Sequence, residues 1–391
     1  MYYDYDVLVV GARVAGSATA MLLARQGHRV LLVDRVTMPA DTVSTHAILR
    51  TGVLQLRRWG ILDSVVAGAP PIRDVVLGFG HERVSFEMRG DYGIDALYAP
   101  RRYVLDTELV RAAVEAGVEF AGATRMIGLR RDSRGRVCGA TVSGGLGSTN
   151  VSARFVVGAD GQNSRVAREV RAHPYLAHRP QNAVHYGYYD GIETSGFRFQ
   201  FTPGVNAGLI PTNDGATCVF VGRPARRISA FRSDPDAEFR HLLSAAATDL
   251  AELVGAGKRM SPYRGTSGLP GFLRKPWGAG WALVGDSGYL KDPISAHGIS
   301  DALRDAELCA RALDRALHTP DSEDEALTHY HTQRDAFSMR IYEESKALSS
   351  YRWDSAEASE RMKTISGAVR RECDAIVNLP QWENTPMTAT G

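Results

Sequence analysis

Near the start of the chain an apolar run stops at a glycine, and the residues on either side of that glycine leave few ways to fold. Asp6 to Val10 is a short, continuous apolar stretch ending at Gly11, the pattern of a strand buried on both faces of a parallel sheet. Ala15 to Gln26 (AGSATAMLLARQ) suits a helix that stops at Gly27, and Arg29 to Val33 is a second apolar run closed by Asp34. Together they predict one βαβ unit. The turn between strand and helix reads Gly11-Ala12-Arg13-Val14-Ala15-Gly16. Gly11 permits a tight turn and Gly16 permits close packing of helix on strand. The helix then presents free N–H groups and its positive dipole end to a pyrophosphate. Asp34, with Arg35 beside it, lies where a carboxylate accepts from ribose hydroxyls and repels a 2′-phosphate. That favours FAD or NAD over NADP. Arg13 stands where a glycine is expected, and its guanidinium is placed to reach phosphates.

Two later segments repeat the theme of a buried strand running into a turn and a helix. One is Phe155-Val-Val-Gly-Ala-Asp160-Gly161-Gln-Asn-Ser164-Arg165. The other is Trp281-Ala-Leu-Val-Gly285-Asp286, continuing through Lys291-Asp292-Pro293-Ile-Ser-Ala-His297-Gly298-Ile299 into a long helix. Asp286 is placed to accept from a ribityl hydroxyl. The N–H groups of Gly298 and Ile299 are placed to donate to a flavin carbonyl and to stabilise negative charge on reduced flavin.

Elsewhere Leu105 to Glu115 reads as an amphipathic helix. Val137 to Val142 and Val151 to Val157 read as strands joined by a GGLGSTN hairpin turn, not a phosphate loop. From Asn182 to Gly222, runs rich in Tyr, Phe, Val and Thr alternate with turn residues, as in an antiparallel meander. Asp236 to Val254 is expected to be helical, as is most of Ser322 to Val377, with fraying from Leu379.

Composition narrows the class further. The 391 residues are 44% hydrophobic, enough for a large core, and the net charge of +2 gives no field to recruit nucleic acid. The Arg pairs (Arg101–Arg102, Arg130–Arg131, Arg226–Arg227) are scattered and read mostly as solvated faces. The four cysteines are far apart, which argues against a disulfide framework or zinc site. His329 and His331 are two apart on a helix, do not share a face, and read as solvated; no metal is expected. There is no basic-then-apolar leader and no apolar run of membrane-spanning length, so a cytoplasmic protein without a transmembrane segment is expected. The first lysine is Lys258.

The ordered trio Gly-x-x-x-x-Gly, Ala-Asp-Gly and Gly-Asp resembles the p-hydroxybenzoate hydroxylase-type flavoproteins, the class A flavin monooxygenases. Their wider superfamily includes flavin halogenases and geranylgeranyl reductases. The resemblance covers roughly Asp4 to Leu317. It implies an α/β fold in which a Rossmann-like FAD-binding domain carries an inserted antiparallel-sheet substrate domain and a C-terminal helical tail. The expected division is residues 1–70, 95–178 and 279–318 for the discontinuous FAD domain, 71–94 and 179–278 for the substrate domain, and 319–391 for the helical segment. By the same resemblance Arg102 contacts FAD, Arg50 lies near the pyrophosphate, and Asp160 and Gly161 serve both FAD and nicotinamide use. Pro293 faces the reactive carbon of the flavin, and His297 stands where many relatives carry Gln. Val14, Ala15, Gly285, Gly298 and Ile299 complete the expected cofactor contacts. The resemblance also implies that the polar segment Asp41-Thr-Val-Ser-Thr-His46 runs toward the flavin, where His46 donates to a flavin oxygen, exchanges a proton with substrate, or is simply structural.

The activity implied is FAD-dependent monooxygenation, a hydroxylation or epoxidation of a small aromatic or polycyclic organic substrate. Reduced FAD would react with O2 to a C4a-hydroperoxide whose distal oxygen is transferred. No second dinucleotide fingerprint exists, so the reductant is NADPH or NADH met transiently, or a separate flavin reductase. The oligomeric state is not legible. The alternatives are a reductase or dehydrogenase of the geranylgeranyl reductase type and a flavin halogenase. The halogenase Trp-x-Trp-x-Ile-Pro signature is absent, as is any lysine in the first part of the chain.

Overall fold

The computed structural model describes residues 3–145, 147–194, 196–227 and 229–382. The strand Tyr5–Val10 lies inside the mainly parallel sheet. It pairs in parallel with Val30–Val33 on one side and with Gly147–Gly158 on the other. Glu119–Ala121 and Trp281–Leu283 extend the parallel sheet at its two ends. Alternate residues of the central strand enter different cores, Val7 and Val9 one of them and Leu8 and Val10 the other. Both faces are therefore buried, which is why the run is continuously apolar instead of alternating.

The first face is covered by the helices Val14–Arg25, Arg102–Glu115 and Gly298–His318. The early part of Gly147–Gly158 forms the expected hairpin with Val137–Gly144, which pairs in turn with Arg125–Arg131. The expected helix Ala15–Gln26 is seen as Val14–Arg25, and the helix at Leu105 begins three residues earlier, at Arg102.

A second sheet has the order Lys258–Arg259, Asn182–Asp190, Thr217–Pro224, Val205–Pro211, Phe197–Thr202, Asp74–Phe79, Glu82–Glu87. The meander from Asn182 is antiparallel throughout, but Phe197–Thr202 meets Asp74–Phe79 in parallel. The segment expected as one helix at 236–254 is two, Pro235–Ala246 and Thr248–Ala256. Ala247 between them is extended (φ −165°, ψ 134°), a break that no Gly or Pro announces. The helices Glu323–Ser349 and Ser355–Val377 pack on Gly298–His318 and on the second sheet. Among the described residues no helix is long and apolar enough to cross a membrane.

Candidate functional site

The three motifs meet because their strands are neighbours in register. Val10 lies opposite Gly158, and Gly158 opposite Leu283, so Gly11, Ala159-Asp160 and Gly285-Asp286 leave the same sheet edge side by side. Crossing points at the carboxyl ends of parallel strands are where α/β sheets bind ligands. The approach is tight enough to require glycine. Gly11 has φ +106°, and a methyl there would overlap the Ala159 carbonyl oxygen. A methyl on Gly16 would overlap the Gly11 carbonyl oxygen and lie 3.0 Å from the Ala159 Cβ. Gly285, at φ +59°, sits where a Cβ would come 2.8 Å from that of Ala15.

The carboxylates at this edge divide by their partners. Asp34 is buried and accepts from the Ala12 N–H at 2.7 Å and the Val36 N–H at 2.9 Å, so it shapes the glycine turn from below. Asp160 is committed to the chain. It accepts from the Ser164 hydroxyl at 2.5 Å, the Arg165 N–H at 2.6 Å and the Ser287 hydroxyl at 3.3 Å, and Ser287 also receives the Gly161 N–H at 3.1 Å. The second motif is thereby stitched to the third. Asp286 differs: its surface is open to water, yet burial pushes its pKa up to about 6 against the lowering influence of Lys291 and Arg102. Accessible and yet crowded by protein is the condition of a carboxylate on the floor of a narrow cleft.

Arg13 and Arg102 converge on the fully buried Asp106, at 2.9 and 2.8 Å. Arg13 is thus drawn back along the helix Arg102–Glu115, which is how a non-glycine residue fits this turn. Arg50, at the start of the helix Arg50–Arg58, pairs with Asp91 at 3.4 Å; Arg35 is exposed. Val14 and Ala15 form the buried first turn of their helix, and Gly298 and Ile299 open the helix Gly298–His318. Gly298 is exposed, with nothing within 4 Å of where its Cβ would be. The leading N–H groups of a helix have no intrahelical acceptor. Pro293 begins the short turn before this helix, and His297 is buried with its Nδ1 2.5 Å from the Ser295 carbonyl. Burial lowers the His297 pKa to about 4, so the ring is neutral.

His46 is 1% exposed and its backbone lies in the left-handed region at φ +70°. Its Nε2 shares a short hydrogen bond with the Tyr188 hydroxyl, and its Nδ1 has no partner. Burial, helped by Arg101 and Arg102, lowers its pKa to about 3. Tyr186 and Tyr188 share one strand face, as alternation requires, and Tyr186 accepts from the Ser44 N–H at 3.2 Å. Arg101 stacks 3.7 Å from the Tyr188 ring centroid and pairs with Asp41 at 3.1 Å; Arg264 reaches the same carboxylate at 2.9 Å. Of the three Arg pairs expected to be mostly solvated, Arg130–Arg131 and Arg226–Arg227 are exposed and Arg101–Arg102 is the exception. Each guanidinium is drawn inward by a carboxylate. His331 also departs from expectation: it is half-buried and faces Asp335 at 3.3 Å, whereas His329 is exposed.

Sequence reasoning missed the loop that carries the third motif as a buried ionic assembly. Lys291 pairs closely with Asp301, and Arg304, fully buried, bonds Asp301, Asp305, Glu372 and Ser338. Asp292 is buried, with Oδ1 accepting from Asn182 Nδ2 at 2.9 Å and the Ile294 N–H at 3.0 Å, and Oδ2 unpartnered. Burial pushes its pKa up to about 7. The C-terminal helices hold this loop: Tyr330 donates to the Leu283 carbonyl, Arg334 to those of Gly288 and Arg274, and Ser345 to Ser295.

The cleft fits FAD by its chemistry. It offers a glycine cradle that a methyl would fill, a helix N-terminus for phosphate, an accessible carboxylate at Asp286 and a second open helix N-terminus at Gly298. The model of the family described as "FAD binding domain" matches residues 4–345. The chain is 26% identical over 389 residues to digeranylgeranylglycerophospholipid reductase 2 of Methanopyrus kandleri, covering 94% of this chain and 91% of that protein. It is 28% identical to kynurenine 3-monooxygenase of Salinispora arenicola, over 84% and 76% of the two chains. The structure of the myxobacterial chondrochloren halogenase, an FAD-dependent enzyme, superposes with TM-score 0.80 at 22% identity, covering 96% of this chain and 91% of that one, a likeness of fold. The chain belongs to the FAD binding domain family, within the p-hydroxybenzoate hydroxylase-like FAD-dependent oxidoreductases.

Proposed function

We propose that the protein is an FAD-dependent monooxygenase acting on a small, polar aromatic substrate. The observation that carries this reading is a buried polar aromatic cluster in which His46, Tyr186 and Tyr188 meet and the Arg101 guanidinium stacks on Tyr188. A substrate bound against this cluster would be a compact aromatic with a polar or anionic substituent in preference to a long hydrocarbon chain. When bound, FAD supplies the redox chemistry. The chain's own part would be to hold it. The Gly11 to Gly16 turn would receive the pyrophosphate, with Arg13 able to join it on leaving Asp106, Asp34 would serve the ribose and Asp286 the ribityl chain. Gly298 and Ile299 would donate to the ring, and Arg102 and Pro293 would help to bound its site. In this reading residues 1–70, 95–178 and 279–318 make the cofactor domain. Residues 71–94 and 179–278 make the substrate domain, and 319–391 a helical cover. The reductant is NADPH or NADH, or a partner flavin reductase.

A second reading, an FAD-dependent reductase, is favoured by the likeness to the Methanopyrus reductase. The two separate on oxygen. Purified holoprotein is given NADPH, NADH or a flavin reductase, with a panel of aminophenyl and hydroxyphenyl acids under labelled O2. Label in the product supports the monooxygenase. Product formed equally well without oxygen would overturn it in favour of the reductase.

A further inference from the structure

The first helix and the helix Gly298–His318 both begin at the cofactor cleft and run away from it, packed side by side. Their far ends come together at three residues of one kind of chemistry. His28 follows the first helix directly, just past Gly27, whose φ of +82° turns the chain back. Asp314 and His318 are one turn apart on the last turns of the other helix, so they share a face. His28 Nε2 is 2.7 Å from Asp314 Oδ1, and His318 Nδ1 is 3.2 Å from the same oxygen. One ligand atom from each residue lies within 4.8 Å of the others, and the two imidazole rings are 5.1 Å apart.

We propose that His28, Asp314 and His318 form a divalent metal site whose preferred occupant is Zn2+. Two imidazole nitrogens and one carboxylate oxygen are a ligand set that zinc accepts, with water completing a four-coordinate shell. The exposure runs in the order such a site needs. The His28 side chain is 10% exposed, Asp314 26% and His318 63%, so two ligands are held by the fold and the third closes from solvent. His318 Nδ1 presently lies 3.0 Å from the Asp314 main-chain carbonyl, and that contact is exchanged for the metal. At 1.5 Å per residue, the site is about 18 Å along one helix and about 30 Å along the other from the cleft. The metal is therefore a clip between two cofactor-bearing helices and takes no part in catalysis.

The test uses full-length, FAD-loaded protein freed of metal with a chelator. Zn2+ is titrated calorimetrically, with metal content after dialysis as a second measure. The wild type is expected to bind one Zn2+ that is lost, or weakened at least about tenfold, in His28→Gln and in His318→Ala. Zn2+ should also raise the thermal midpoint of the wild type and not of His318→Ala, whose exposed side chain leaves folding intact. Flavin content and turnover should be the same in His318→Ala and wild type. Absence of a Zn2+ site in the wild type, or equal binding by both variants, overturns the proposal.

Discussion

Asp292→Asn should make the folded protein more stable at neutral pH and leave it almost unchanged in acid. The Asp292 carboxyl is fully buried beside Pro293, with one oxygen bonded to Asn182 and Ile294 and the other unpartnered. Its pKa rises from 3.8 to about 7 because burial penalises the charge. A group whose pKa is higher in the folded state favours folding while both states are protonated, and that advantage is lost as pH rises through the folded pKa. The window therefore runs from about pH 4 to about pH 7. A shift of this size corresponds to at most about 4 kcal/mol across the window. Relaxation and water entry around a buried charge reduce that, so a difference on the order of 1–3 kcal/mol is expected. Asparagine mimics the protonated acid in shape and still accepts from Asn182 and Ile294. Urea unfolding of both FAD-loaded proteins at half-unit steps from pH 4 to pH 8 measures the effect. The buried histidines His46, His185 and His297, whose pKa values burial lowers to about 3, about 4 and about 4, cancel in the comparison because both proteins carry them. Parallel stability profiles for wild type and variant would refute the reasoning.

Gly16→Ala should push the first helix off its strand, because the added methyl overlaps the Gly11 carbonyl oxygen. It is expected to cost about 1–3 kcal/mol of stability and to weaken FAD retention at least about tenfold. Flavin released on dilution reports the second effect, and unchanged retention counts against the cradle. Tyr188→Phe removes the partner of His46 Nε2 and leaves both ring nitrogens without one, since Nδ1 is already unpartnered. A loss of about 1–3 kcal/mol is expected by thermal unfolding, and a loss below about 0.5 kcal/mol would mean that the imidazole is not held by that bond.

The strand, turn and helix from Asp6 to Gln26 were legible because each depends on neighbours in sequence: an apolar run, a glycine turn, a helix stop. The motifs at Asp160 and Gly285 were legible for the same reason, and their convergence follows from strands that pair in order. The role of the Asp160 carboxylate was not, because its partners include Ser287, far along the chain. The cluster around His46 was not legible: strand alternation puts Tyr186 and Tyr188 on one face, but nothing local says that Tyr188 meets a histidine from the first part of the chain, or that Arg101 stacks on it. Asp292 reads as an ordinary residue before a proline, and its burial comes from Asn182 and the helices behind it. The helix break at Ala247 has no breaker residue and arises from how two short helices pack on the second sheet.

The polar bonds from Tyr330, Arg334, Ser345 and Glu372 to the loop and helix of the third motif set an order of events during synthesis. The first two motifs lie in the first half of the chain and are available to pair early. The loop and helix of the third motif gain their last partners only when the final long helix has been made, because Glu372 on it reaches Arg304. A ribosome-bound chain that ends before residue 372 should therefore present a half-built cleft. Flavin capture is then expected only of the finished polypeptide.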